Sequence, residues 1–528
     1  MRRNMTNSSQ AMVDASNQPH KRSFNSLFKL ICDKLLEAVV CSPREKSTPN
    51  SLAIESSNVE VLVHKNGVEN APENNQGGPD SEGFLSSIDQ KLDQVRQDNE
   101  ACSWKNLSIY RIPHYLKQEQ DKDKAFIPQI VSLGPYYHDT MHLRQMEWHK
   151  CRCFDQILKR TSHKIDLYRD LVKEVEQEAR GCYEGEISML SKKFVEMMVL
   201  DGCFVIELLL GVIIGFEKLG YPRNDPVFSL LRSMHMIQGD MLKLENQIPL
   251  FILDQLLGLQ FSISDHKGVV AKLALMFFHK LMPKFGPRPD HKGLEIVPDN
   301  GGLHFLEVFR LNILGLGLTK QTQGEMSWQQ AQQRSIHSVT DLREAGIGFR
   351  ERKEANFWDI KFEDGTLQIP QLQIHKGTRS LFLNLISFEQ SHFRCGNKIT
   401  SYILFMDDLI DSPEDVKFLR KRGIINHRLG SDAEVADLFN RLCLDVDFSI
   451  EDSYLSPLTK MVETYETRRS SSCGAYLEYK WNAWIAILNH NYFNNPWSII
   501  SVIAAFVLLV LTFTQTFYEV YGHYKSGS

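Results

Sequence analysis

The chain of 528 residues has none of the short motifs that mark the commonest enzyme chemistries. A G-x-G-x-x-G dinucleotide turn, a G-x-x-x-x-G-K-[ST] phosphate loop, a G-x-S-x-G nucleophile elbow and an H-E-x-x-H zinc helix are all missing. Those absences remove the reaction classes in which a glycine-rich loop cradles phosphate or a strained turn presents a serine. The ten cysteines are scattered without a C-x-x-C pair and read as small buried apolar residues. A net charge of −5 lacks the basic excess that a nucleic-acid partner needs, so none is expected. No internal repeat is visible. The N-terminus lacks the apolar core of a secretory signal, because polar residues 5–10 follow Arg2 and Arg3.

Charge is missing from one further place, the 21 positions from Ser498 to Tyr518. As a helix this run is about 31 Å long, roughly the hydrocarbon thickness of a bilayer. Trp497 and Tyr518 bracket it as interfacial rings, and Pro496 suits a first helical turn. A buried core helix is the other reading, favoured by Thr512, Thr514, Gln515 and Thr516. The expectation is a single membrane-spanning helix over 496–518 with a short tail at 519–528. The bulk is then expected in the cytosol, inserted as a tail anchor. Arg468, Arg469 and Lys480 before the span against Lys525 after it lean the same way. An extracellular bulk would instead open the cysteines to pairing and the sequons at Asn4, Asn7 and Asn106 to glycosylation.

Residues 1–41 form an N-terminal extension in which Phe24, Leu27, Phe28, Ile31, Leu35 and Val39 recur at helical spacing. With Lys21, Arg22, Lys29 and Lys34 nearby, the segment reads as an amphipathic helix lying on a membrane or docked on the protein's own body. Residues 42–100 are rich in Ser, Asn, Glu, Gln and Gly and predict a disordered linker. From 101 to 495 helical periodicity dominates. Val195, Met198, Val199, Gly202, Ile206, Leu209 and Ile213 mark one stripe. Ser412-Pro413-Glu414-Asp415 and Ser431 with Glu434 are helix starts, and Gly423 is a helix stop. One β hairpin is predicted, with Phe357–Phe362 as its first strand, a turn at Glu363-Asp364-Gly365, and Leu367 and Ile369 returning. Pro370 then shifts the apolar phase, as an edge-strand bulge would.

His138, His142, His149, Cys151 and Cys153 are the best metal candidates, but their spacing is not that of a zinc site, so neither metal nor cofactor is expected. Glu196 and Glu207, eleven apart, return to one side of a helix opposite the apolar stripe and read as a solvated ridge. Glu245 differs. On a helix continuing through Met241 and Leu242 it projects with the apolar residues, just before Pro249. It is therefore expected to accept hydrogen bonds from the free amides of the following helix, a structural role favoured over acid–base work.

Several segments carry a resemblance: Ile109-Tyr110-Arg111-Ile112-Pro113, residues 126–136 (FIPQIVSLGPY), residues 198–204 (MVLDGCF), residues 244–250 (LENQIPL), residues 340–346 (TDLREAG) and Pro496-Trp497. Together they resemble the plant family catalogued as domain of unknown function 247, or UPF0481-like, across roughly 101–520. The resemblance implies a mainly helical, membrane-attached, plant-specific protein with no catalytic residues to carry over. Asp201, Glu245, Asn246, Gln247 and Pro249 fall in its motifs and are the candidate structural or functional residues. Some members are linked to pollen-side self-incompatibility in grasses, whereas the long extension over 1–100 departs from many members. The expected protein is mainly α, a large helical domain with a small β hairpin and one C-terminal transmembrane helix. Its expected work is recognition or signalling through an unidentified protein partner. The alternative is a membrane-bound, hydrolase-like enzyme using acids such as Glu245.

Overall fold

The computed structural model describes residues 88–89, 92, 106–117, 123–229, 231–263, 266–278, 281, 303–314, 336–353, 355–392, 395–443, 453–470 and 496–525. The amphipathic segment at 24–39 and nearly all of the expected linker lie outside the described residues; residues 88, 89 and 92, inside that linker, are helical. The described residues are mostly helical, with a three-stranded and a two-stranded sheet. They divide into two compact units, residues 1–280 with 288–321 and residues 281–287 with 322–528.

The first unit contains α1 (Arg144–Thr161), α2 (Ile165–Glu174), α3 (Ser191–Ile214), α4 (Leu231–Asp240), α5 (Leu250–Phe261), α6 (Val269–Phe278) and α7 (Phe305–Ile313). Helix α3 is the hub, packed by α1, α2, α5 and α6. Its predicted stripe is widened, because Phe194, Met197, Phe204, Val205, Leu208 and Leu210 are buried too. By length and composition α3 is apolar enough to cross a membrane, yet 83% of its apolar window is buried inside the fold, so it serves as a core helix. A glycine is required where α5 crosses it. A Cβ on Gly202 would stand 2.4 Å from Leu256 Cδ1, closer than packed atoms approach.

The solvated ridge is corrected by this packing. Glu196 is exposed, but Glu207 is fully buried and takes a two-pronged contact from Arg160 on α1 and the Tyr221 hydroxyl at 2.9 Å. The last turn of α1 and the chain at 216–221 cover the C-terminal half of α3, a burial that a single-helix wheel does not contain.

In the second unit the helix α8 (Val339–Glu344) leads into β1 (Gly348–Arg352), β2 (Lys361–Glu363) and β3 (Thr366–Pro370), ordered β1-β3-β2. The hairpin exists between β2 and β3, but its first strand is only Lys361–Glu363, because 357–360 is turn and coil. Asp364 (φ 50°) and Gly365 (φ 68°) make the two-residue loop with positive φ at both positions, which suits the right-handed twist of the strands. The phase shift at Pro370 is not a bulge. The chain leaves one sheet there and enters another, since β4 (Leu372–Ile374) pairs in parallel with β5 (Ile425–His427). Each sheet buries its own pair, Leu367 with Ile369 and Leu372 with Ile374.

Around the sheets run α9 (Thr378–Ser391), α10 (Lys398–Leu409), α11 (Pro413–Lys421), α12 (Asp432–Leu442) and α13 (Ser456–Ser470). Helix α11 has the full reciprocal box between Ser412 and Asp415, and Asp415 also accepts the Thr340 amide at 2.9 Å. At α12 the Ser431 hydroxyl accepts from the Glu434 amide, while Glu434 turns to the Gly430 amide at 3.1 Å. Helix α14 (Pro496–Lys525) closes the described structure as one 30-residue helix, running on beyond the expected boundary at Tyr518. Its uninterrupted described apolar stretch, Ile503–Tyr518, is shorter than α3.

Asp408 at the end of α10 supplies a pH dependence. Burial, with Asp407 beside it, pushes its carboxyl up to about 7. An acid whose folded value is raised holds its proton more tightly folded than unfolded. The protein therefore gains stability as pH falls from about 7 toward the ordinary carboxylate range, and loses it as pH rises through that window. The Asp408→Asn protein should be more stable than wild type at pH 8, on the order of 1–2 kcal/mol, and the gap should narrow on acidification and close only near pH 4. Chemical denaturation at both pH values checks this.

Candidate functional site

The described residues among 106–117 and 123–137 are mostly outside helices, and they join no sheet beyond one bridge, Ile109 to Tyr183. A buried extended chain must still pair its amides. Side chains from α3, from the last residue of α4 and from the loop after it do so here. Asp240, the last residue of α4, accepts from the amides of Gln129 at 2.9 Å, Ile130 at 2.6 Å and Val131 at 3.1 Å. Asn246 Oδ1 accepts from the Leu133 amide at 2.7 Å, and its Nδ2 donates to the Val131 carbonyl at 3.0 Å. Asp201 on α3 accepts from the Gly134 amide at 2.9 Å. Glu245 accepts from the Ile112 amide at 2.8 Å, from Lys117 Nζ at 2.7 Å and from the Tyr137 hydroxyl. The acids and the amide thus form a clasp along one strand of chain.

This placement corrects the sequence expectation for Glu245. Helix α4 ends at Asp240, so Glu245 sits in a turn and not on a continuing apolar face. The amide it accepts belongs to Ile112 and not to the next helix. Pro249 stands at the N-cap of α5. Gln247 steadies the same turn, donating to the carbonyls of Met241 at 2.8 Å and Lys243 at 2.6 Å. Its own carbonyl accepts from the Tyr183 hydroxyl at 2.9 Å, and there the extended segment passes so close that only glycine fits. Gly134 has φ +73°, and a Cβ would meet the Gln247 carbonyl oxygen at 2.5 Å.

Two clasp residues escaped the sequence reading. Asp240 has no motif of its own. Lys150 left one signal, since it shares the apolar face of α1 with Met146, Cys153, Phe154 and Ile157. Its fully buried ammonium lies 2.6 Å from Asp201 Oδ1 and 2.5 Å from Glu147 Oε1, and donates to the Ser132 carbonyl at 2.7 Å. Burial pushes the Asp201 carboxyl above its usual range, opposed by Lys150. Burial likewise pulls the Lys243 ammonium down, opposed by its partner Asp240.

Chemically the clasp is saturated. Ser132 Oγ lies 3.2 Å from Lys150 Nζ, a spacing that a serine nucleophile and lysine base would also show. Here the lysine is held between two carboxylates and the serine donates to Glu147 at 3.0 Å, and both residues are buried. Glu245, Asn246 and Gln247 are buried with their side chains bonded to protein groups, and Asp201, also buried, takes the Gly134 amide on one oxygen and the Lys150 ion pair on the other. The arrangement fixes a backbone. Of the metal candidates, His142 Nε2 contacts the Pro128 carbonyl at 2.9 Å and Cys153 is buried, while Cys151 is exposed. Open space lies elsewhere in this unit, in a groove of about 700 Å³ between α1, α2 and α3.

A UPF0481 protein of Arabidopsis thaliana, At3g47200, is 31% identical over 441 residues, which cover 79% of this chain and 87% of that protein. A putative UPF0481 protein of the same plant, At3g02645, is 23% identical over 507 residues, covering 79% and 91%. No solved structure matches. The profile of the family described as plant protein of unknown function matches residues 109–511, from the first clasped residues into α14. By that extent the chain belongs to the DUF247 family of plant proteins of unknown function.

Proposed function

We propose that this is a membrane-anchored recognition or signalling protein, in which α14 holds the two units at a bilayer and their surfaces meet a protein partner. The observation that carries this reading is α14 itself. Its apolar side chains point outward, with Leu508 64% and Leu509 68% exposed, and no charge interrupts 498–518. An uncovered apolar helix of that length is costly in water and suits a hydrocarbon layer. Tyr518 and Trp497 fall near the headgroup level in that placement. Cys153 and Cys203 are unbridged thiols in the core, which suits a domain facing the reducing cytosol.

Deleting residues 497–528 should move the protein into the soluble fraction. Leu508→Arg should impair insertion by about 2.5–3.5 kcal/mol on insertion scales. Sedimentation after an alkaline wash tests both; a truncated protein that still pellets would place the anchor elsewhere. Within this reading, a pollen-side self-incompatibility role, drawn from the family resemblance, predicts allelic variation gathered on one exposed surface and sparing Asp201, Asp240, Glu245 and Asn246.

A further inference from the structure

The groove between α1, α2 and α3 encloses about 700 Å³, in the range of sites that hold a small molecule. Its floor is apolar, formed by Phe154, Leu158, Val195 and Val199, and Ile165 at its lip is left 61% exposed. One end of the groove is the start of α3. Ser191 there accepts from Lys173, in the last turn of α2, and donates to Glu176 at 2.7 Å. The amides of Ser191, Lys192 and Lys193 find no acceptor among the described residues, and Leu190 at the N-cap supplies no side-chain cap. We propose that the groove binds a single-chain amphiphile with an anionic head, a carboxylate or a phosphate, with the head on these amides and the chain along the apolar floor.

Local charge at that end selects an anion. Glu176, itself buried, is matched by both Lys173 at 2.7 Å and Arg180 at 2.9 Å, which leaves one positive charge over. Lys192 lines the groove and adds a second, since it pairs with no acid among the described residues. The start of a 24-residue helix contributes the positive end of its dipole as well. The other charges on the lining cancel or stand away from this end. Arg169 is held by Asp166 and Asp170 on its own helix, and Asp155 is held by Lys159 at 2.5 Å. Glu196 is exposed and stands one turn along α3 from Lys192, beside the chain and not the head. A cationic amphiphile would meet the surplus with like charge. The α3 wall from Ser191 to Leu200 then runs about 14 Å along the floor, where an apolar chain covers area now open to water. The site is independent of where α14 sits.

Cys151 lines the groove and is exposed, so it reports directly on occupancy. In the full chain held in nanodiscs of neutral lipid, its modification by a maleimide is followed by peptide mass while dodecanoate, dodecyl phosphate or dodecyltrimethylammonium is titrated in. Dodecanoate or dodecyl phosphate should slow modification, about tenfold at ten times its dissociation constant, and whichever binds tighter names the head. The trimethylammonium compound, with the same chain and the opposite charge, should not protect. Lys192→Glu, at an exposed position, should raise the dissociation constant of the anion about tenfold. Ile165→Asp, also at an exposed position, should weaken both anions through the lost contact with the chain. Equal protection by the trimethylammonium compound would overturn the proposal. So would an unchanged dissociation constant in Lys192→Glu, or no protection by either anion.

Discussion

Asp240→Ala should destabilise the first unit by about 3–5 kcal/mol, the scale of a buried charged partner removed from its network. The carboxylate accepts from three successive amides, and Lys243 stands 3.1 Å away. Of those amides only the one on exposed Gln129 can turn to water; Val131 is buried and Ile130 partly so. Each buried donor left unmet costs about 1–3 kcal/mol. The loss of Lys243's counter-charge adds to this, because that ammonium is nearly fully buried. Asp240→Asn keeps one acceptor oxygen but turns an amide group toward donors, so it should fall between wild type and alanine. Denaturant titration of the full chain in detergent micelles measures the order, and a wild-type-like Asp240→Ala protein would contradict the account.

The second large effect is expected at Lys150, where Lys150→Met should cost about 3–5 kcal/mol. The methionine fits the apolar face of α1, so the cost is the carboxylate left behind. Asp201 is fully buried, and it would keep only the Gly134 amide at 2.9 Å as a donor. Its carboxyl is already raised by burial, and removing the ammonium raises it further. With the folded value raised, the proton is held more tightly in the folded state, so stability is gained on acidification and lost as pH rises. The defect should therefore be smaller at pH 5 than at pH 8. Adding Asp201→Asn should recover part of the loss and remove the pH dependence. A Lys150→Met defect that is the same at both pH values would show that Asp201 is not the group left uncompensated.

Local signals in this chain translated well into local structure. The Ser412 and Asp415 pair makes its box, Gly423 takes positive φ after α11, and Asp364-Gly365 turns the hairpin. Each is set by residues within a few positions, where propensity and capping act directly. The errors arose where distant chain arrives. Glu207 became buried because α1 and Tyr221 fold over it, and Pro370 marks a change of sheet that depends on a strand at Ile425. The clasp is the extreme case. Asp240 and Gln129 are 111 residues apart, and Glu245 and Ile112 are 133 apart. No periodicity connects such residues. Sequence could show an acid in apolar surroundings, but not which amides it serves.

The central claim is that buried side chains, and not a sheet ladder, hold the extended segment in place. Native-state hydrogen exchange of the amides of Ile112, Ile130, Val131, Leu133 and Gly134 tests it most directly. If the clasp is integral to the fold, all five should exchange as slowly as amides in the middle of α3, through opening of the whole unit. In Asp240→Asn, Ile130 and Val131 should lose protection before Ile112 does. Rapid exchange of the five amides in a protein whose α3 amides stay protected would mean that the segment opens on its own, and would contradict the account.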